Sequence, residues 1–280
     1  MNGKITTFEW AVEHFSLDQI ADSGQVFRWE RRGPEHYAIP AGGHFCVASM
    51  DAPGRLTVRC REHMATFWRY YFGLGDAYPE YWRTINTWAE RDGPDAYLTR
   101  AAEAANGMTI LHQPTWEAMA SFLISQNNNI PRIKAIVAKL CQRWGHLVTT
   151  LDGDNYYTFP EPGLLCDVAD LEGLGLGYRD KYLAALAQAV TAGPLHLPTL
   201  EGMDYTRAKA ALKAVPGVGE KVANCMLLYG LGHLEAFPVD TWIRRVLDRE
   251  FPDGFPMERY DGFGGLVQQL IFYYEREAKK

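Results

Sequence analysis

A chain of 280 residues, 47% apolar and 22% charged, has the size for one large domain or two and the balance of an ordinary globular protein. No run is long and apolar enough to span a membrane and no basic-then-apolar leader opens the chain, so a cytoplasmic protein without a membrane role is expected. Five scattered cysteines without CxxC spacing argue against a disulfide framework or a zinc site, and a formal charge of −6 is not the usual footprint of a nucleic-acid binder.

Within the first hundred residues, segments 27–30, 36–39, 44–49 and 55–60 show partial alternation, punctuated by Gly33-Pro34, Gly42-Gly43 and Pro53-Gly54. This pattern predicts an antiparallel sheet with tight turns. Ser23-Gly24-Gln25-Val26-Phe27-Arg28-Trp29 reads, by spacing alone, as a turn into the first strand. Segments 62–71 and 78–90 read as helices whose aromatic residues suit a junction between sheet and helices. The pattern turns wholly helical near Asn106-Gly107. An α+β chain is therefore expected, with an N-terminal antiparallel sheet domain and its flanking helices over 1–107 and a helical domain over 108–280.

The helical part opens with an apolar face of Trp116, Met119, Ala120 and Leu123. Asn127-Asn128-Asn129 then interrupts the helix, and Pro131 suits the start of the next. Leu174-Gly175-Leu176-Gly177-Tyr178-Arg179 precedes a helix at 180–190, but no strand leads into it, so a dinucleotide fingerprint is not indicated.

Further on, Tyr205, Ala208, Leu212 and Val215 recur at helical spacing behind a capping Asp204, and Val222, Met226 and Tyr229 repeat the period. Between them lies Pro216-Gly217-Val218-Gly219, which predicts helix, tight hairpin, helix, with amides at the second start suited to a phosphate. From Arg207 to Arg245, six Lys or Arg stand against three Asp or Glu, so positive charge is concentrated around this hairpin.

Lys221 falls in the first turn after the hairpin, with Cys225 four residues on along the same face. Asp240 follows Pro238-Val239 and precedes a helical run at 241–247. A lysine so placed is commonly solvated, and an aspartate before a helix commonly caps it. On adjoining helix starts, however, the two can meet across one cleft, where a lysine against an apolar wall serves as an amine nucleophile. The last helical run, 265–272, carries Gln268 and Phe272 on one side, which core packing would also account for.

Hairpin, lysine two residues after its last glycine, apolar helix, then Pro-Val-Asp closely resembles the helix-hairpin-helix DNA glycosylase superfamily. Within it the chain is most similar to the 8-oxoguanine DNA glycosylases of the bifunctional, lysine-containing branch, with motifs in the family's order across most of its length. The resemblance implies that Lys221 attacks the sugar while Asp240 stabilises the charge growing there. It implies that the Gly24 carbonyl accepts a hydrogen bond from N7 of the oxidised base. N7 of guanine is an acceptor and carries a proton only after oxidation at C8, so a fixed carbonyl welcomes the lesion and repels the normal base.

By the same resemblance, Gln268 and Phe272 bind the expelled base by edge and face, and Gly217 and Gly219 let the hairpin grip the backbone. Asn127 fills the gap left in the duplex, Arg132 and Arg179 contact the orphaned cytosine, and Tyr178 wedges into the stack. Cys225 either ionises beside Lys221 or is an inert buried thiol. The implied partner is double-stranded DNA containing oxidised guanine opposite cytosine, bound by a nucleoid-associated monomer.

No cofactor is implied beyond a structural monovalent or divalent cation at the hairpin carbonyls. No cysteine follows Cys225, so the C-terminal iron–sulfur cluster of some relatives is not expected. Trp242 stands where eukaryotic members often carry histidine. A monofunctional alkylated-base glycosylase would keep Asp240 without needing Lys221, and a non-catalytic helix-hairpin-helix DNA-binding module would need the hairpin alone.

Overall fold

The computed structural model describes residues 4–149 and 155–278. Five strands, β1 (Ile5–Ala11), β2 (Glu30–Gly33), β3 (His36–Ala41), β4 (His44–Ala52) and β5 (Arg55–Arg61), form one antiparallel sheet in the order β1-β5-β4-β3-β2. Cys46 and Ala48 of β4 and Leu56, Val58 and Cys60 of β5 alternate onto one face and are fully buried. Leu17 and Ile20 of α1 (Leu17–Asp22), Trp68 and Tyr71 of α2 (Ala65–Tyr71), and Phe72 cover them.

Two departures from the expected sheet are instructive. The strand at the start of the chain, β1, was not anticipated, although Thr6, Phe8 and Trp10 alternate as half-buried residues along it. Conversely, residues 27–29 lie in the turn, and the strand begins only at Glu30.

The second core is helical and reaches further back along the chain than the shift at residue 107 suggests. Helices α3 (Tyr78–Asp92) and α4 (Tyr97–Ala104) put Tyr78, Trp82, Ile85, Tyr97, Ala101 and Ala102 into the same apolar cluster as the C-terminal helices. The sheet core takes nothing from these two helices and closes with Phe72 and Leu111. The packing boundary therefore precedes Tyr78, because the buried faces of α3 and α4 turn toward the C-terminal helix at Gly264–Tyr273 and its neighbours.

The helical body continues with α5 (Thr115–Ile124), α6 (Ile130–Trp144), a short hairpin of β6 (Leu147–Thr149) and β7 (Asn155–Tyr157), α7 (Asp180–Thr191) and α8 (Leu197–Glu201). It ends with α9 (Tyr205–Lys213), α10 (Glu220–Gly230), α11 (Thr241–Glu250) and α12 (Gly264–Tyr273). Local chemistry sets several of these starts. Asn129, Asp204 and Asp240 each accept the backbone N–H three residues on, capping α6, α9 and α11. Helix α10, buried along almost its whole length, packs between α9 and α5.

The Ser23–Trp29 turn joins the two cores. Val26 and Trp29 belong to the sheet core, whereas Phe27 lies in the helical one, edge-on to Phe122 at 5.6 Å. Arg28 pairs with Glu117 of α5 at 2.9 Å and also donates to the Tyr157 carbonyl. Gln25 is fully buried; its side chain donates to the Thr109 carbonyl at 2.9 Å and accepts from the Leu111 N–H at 3.0 Å. Each bond reaches across more than eighty residues of sequence.

Candidate active site

A cleft of about 1500 Å³ opens where the turn, α5, the asparagine loop, α10, α11 and α12 converge. Helix α10 supplies Lys221, Cys225 and Tyr229 to its wall, and the start of α11 supplies Asp240 and Trp242. Asp240 spends one oxygen on capping α11, accepting from the Ile243 N–H at 2.8 Å. The cap fixes the carboxyl at the helix start and leaves its second oxygen outside that bond. Capping and a place on the cleft wall are therefore compatible in one residue.

The hairpin ahead of α10 is tightly specified. Gly217 has φ +86°, and a Cβ there would sit 2.6 and 2.7 Å from the two Cδ carbons of Tyr182. Gly219 takes an ordinary φ of −86° as the N-cap of α10, with nothing near where its Cβ would be. Glu220, the first residue of α10, is paired with Lys209 and Lys213 of α9. Hydrogen bonds from Lys209 and then Lys213 hold its carboxyl down to about 2. Gly217 and Gly219 stand apart from the cleft wall, so any grip they exert on a backbone is beside the cleft and not within it.

Gly24, Gln268 and Phe272 border the same cleft. Gly24 has φ +79°, and a Cβ there would contact Phe272 and Ile130 at 3.5 Å. The N–H of Gln25 points to the buried Ser23 hydroxyl at 3.4 Å. N–H and C=O of one trans peptide point in opposite directions, so this bond turns the Gly24 carbonyl away from that hydroxyl. Gln268 is 3% exposed, and its Oε1 has no hydrogen-bond partner among the described residues. An orphaned buried acceptor costs about 1–3 kcal/mol, a cost that a ligand's donor removes. Phe272 borders the cleft, with the Arg276 guanidinium 5.3 Å from its ring centre.

The rim is made by the loop before α6 and by the turn at Tyr178. Asn127 is exposed in the left-handed region at φ +49°, and Arg132 is exposed while donating to the Gly175 carbonyl at 2.9 Å. Tyr178, 46% exposed, stands on the same rim. Arg244 and Arg245 add two further cations to the cleft.

These positions are those of a known architecture. A family model described as HhH-GPD superfamily base excision DNA repair protein matches residues 120–253, and one described as 8-oxoguanine DNA glycosylase, N-terminal domain, matches residues 7–119. A probable N-glycosylase/DNA lyase of Methanothermobacter thermautotrophicus is 30% identical over 215 residues, covering 66% of this chain and 68% of that protein. The chain belongs to the 8-oxoguanine DNA glycosylase family. The N-glycosylase/DNA lyase OGG1 of Arabidopsis thaliana is 29% identical, covering 92% of this chain and 76% of its own. The solved structure of Clostridium acetobutylicum 8-oxoguanine glycosylase/lyase, in complex with dsDNA containing cytosine opposite to 8-oxoG, matches with a TM-score of 0.86 at 28% identity over all of both chains.

Two of the motif residues of this glycosylase, Arg179 and Cys225, are buried. Arg179 is 4% exposed and donates to the carbonyls of Leu176, Gln126 and Asn127 at 2.9, 2.6 and 2.9 Å. Tyr178 and Arg179 are consecutive in a single turn of 3₁₀ helix, and one faces out while the other faces in. Arg179 thus holds the asparagine loop from beneath, set deeper than the exposed Tyr178. Cys225 is buried, and burial pushes its thiol up; Lys221 pulls it back only in part, and Asp240 adds to the rise. Its buried setting is that of the inert thiol, the second of the two alternatives for this residue.

Residues that the motifs did not single out complete the glycosylase cleft, Tyr229, Gln269, Arg244, Arg245 and Arg276, and Trp242, the departure from the family's histidine, borders it too. Gln269 had one readable signal, a pair of glutamines inside the otherwise apolar run GGLVQQLIFY. The partners of Gln25 had none, since they lie on a distant segment.

Proposed function

We propose that this protein is a base-excision repair enzyme that removes 8-oxoguanine from duplex DNA and then cleaves the abasic strand. The observation that carries the reading is the meeting of Lys221 and Asp240 with Gly24, Gln268 and Phe272 around one cleft large enough for an expelled purine nucleoside. Two ends of one cleft divide the work, recognition at the turn and α12, chemistry at α10 and α11.

Loss of the base gives the sugar oxocarbenium character, and the Asp240 carboxylate stabilises that charge from close by. The Lys221 amine forms a bond to C1′ as the glycosidic bond breaks. Opening of the sugar ring gives a Schiff base, and loss of a proton from C2′ expels the 3′ phosphate by β-elimination. Recognition rests on the Gly24 carbonyl accepting from N7–H, on Gln268 offering a donor and an acceptor to the base edge, and on Phe272 covering the face. Asn127, Arg132 and Tyr178 occupy the distorted duplex, with cytosine as the proposed base opposite the lesion and a monomer as the acting species.

The lysine separates this reading from an alkylated-base glycosylase, which makes no covalent sugar adduct. Incubation with a duplex bearing one 8-oxoguanine should give base release, strand nicking and a borohydride-trapped adduct, and Lys221→Gln should lose the adduct and the nick. Binding of undamaged duplex as tightly as damaged, with no base released, would remove the proposal.

A further inference from the structure

Gln269 follows Gln268 on α12, is 1% exposed, and is committed at both ends of its amide. Its Nε2 donates to the Ser23 carbonyl at 2.6 Å, and its Oε1 accepts from the Tyr229 hydroxyl. A carbonyl only accepts, so the Ser23 contact decides which end of the amide is nitrogen and makes Tyr229 the donor at the other. Tyr229 is itself held, stacked on Phe122 with ring centres 4.6 Å apart.

Ser23 and Gly24 share a peptide unit, and the next unit carries the Gly24 carbonyl. Glycine at φ +79° sits between two planes that rotate freely unless each is tied. The second plane is tied by the Gln25 N–H on the Ser23 hydroxyl and by the Gln25 side chain on the 109–111 segment. The first is tied by Gln269, from a helix 246 residues further along the chain.

We propose that Gln269 is a positioning residue for lesion discrimination. Bridging Tyr229 and Ser23, it sets the plane of the Ser23–Gly24 peptide and thereby the direction of the Gly24 carbonyl. This rests on the reading of that carbonyl as the acceptor for N7–H. With the plane released, the turn can present an N–H in place of the carbonyl. An N–H suits the bare N7 of undamaged guanine, so preference weakens from both sides.

The test is a double-mutant cycle in a Lys221→Gln background, which binds without cutting. The dissociation constants for a duplex with 8-oxoguanine opposite cytosine and for the same duplex with guanine are measured, and their ratio is the selectivity. Gln269→Met, of similar length but without the hydrogen bonds, should lower selectivity about tenfold, the worth of one misdirected hydrogen bond. Gln269→Glu keeps the acceptor for Tyr229 and loses the donor for Ser23, and should do the same if the methionine variant folds poorly. In a Gly24→Ala background, where selectivity is already reduced, neither change should lower it further.

Selectivity retained in both Gln269 variants, or lost by the same factor with and without Gly24→Ala, overturns the proposal, since a merely structural role is additive. If Gly24→Ala leaves selectivity intact, the reading of the carbonyl fails, and the role of Gln269 falls with it.

Discussion

Alanine at Gly217 and, separately, at Gly219 places the same methyl group two residues apart on one hairpin, with opposite expected consequences. At Gly217 the backbone is left-handed, which costs an L-residue about 1–2 kcal/mol. The new Cβ also lands within 2.7 Å of both Cδ carbons of Tyr182, near the stem of the ring and not at a flexible tip. Overpacking of that kind costs about 1–3 kcal/mol, and the smaller entropy of the unfolded alanine chain returns about 0.4–1. The net expectation is a loss of about 1–5 kcal/mol, centred near 3. At Gly219, φ is ordinary and no atom lies within 4 Å of the new methyl, so the loss stays within about 1 kcal/mol, the preference for glycine over alanine at an N-cap.

DNA binding should separate the pair the other way round. The Gly219 methyl projects into open space before the first amides of α10, where a phosphate would sit, and about tenfold weaker duplex binding is expected at nearly full stability. Urea unfolding of the two variants, with Gly217→Ala/Tyr182→Ala as a third, and fluorescence anisotropy with a labelled duplex make the comparison. Removing the Tyr182 ring should recover the overpacking part of the Gly217→Ala loss and not the backbone part. Equal destabilisation at the two glycines, or undiminished DNA binding by Gly219→Ala, would refute the reasoning.

Gln268→Leu removes an orphaned buried acceptor, so thermal stability should hold or rise by up to a few degrees while base release falls at least tenfold; a parallel loss of both would mean the amide is structural. Arg28→Ala should cost about 3–5 kcal/mol at neutral pH by leaving Glu117 buried without its partner. Burial already pushes that carboxyl up against the pull of Arg28, so without Arg28 the folded state binds a proton more readily than the unfolded one. The penalty should then shrink as pH falls toward the ordinary carboxylate range, which denaturant titrations at pH 5 and 8 would reveal. Glu220→Gln should lower the melting temperature at pH 6, and the gap should close as pH falls from about 4.3 toward about 2, where the native carboxyl also takes up its proton; a gap persisting at pH 2 would exclude the pairing with Lys209 and Lys213 as its source.

What could be read from the chain was local. The caps at Asp204 and Asp240, the hairpin between them, Pro131 at a helix start and the one-sided spacing of Gln268 and Phe272 each depend on a few adjacent residues. Polar residues that work across the fold were less legible. Gln25 looked like part of a turn, because the carbonyl and N–H it bonds are on the 109–111 segment. Arg179 looked like a partner of Tyr178, because a single 3₁₀ turn carries no periodicity to tell its inward from its outward side. The cover over α3 and α4 was hidden for a related reason. α3 and α4 are amphipathic helices like any others, and nothing in their spacing says which neighbour covers them.

The Ser23–Trp29 turn, with residues rooted in both cores, separates judgement from force. The proposed reader of the purine, Gly24, hangs between two bodies, whereas the proposed nucleophile and its carboxyl partner stand on one. Gln25, Arg28 and Gln269 each bond across that seam, so on the proposed reading the contacts that hold the fold together would also keep recognition in register with cutting.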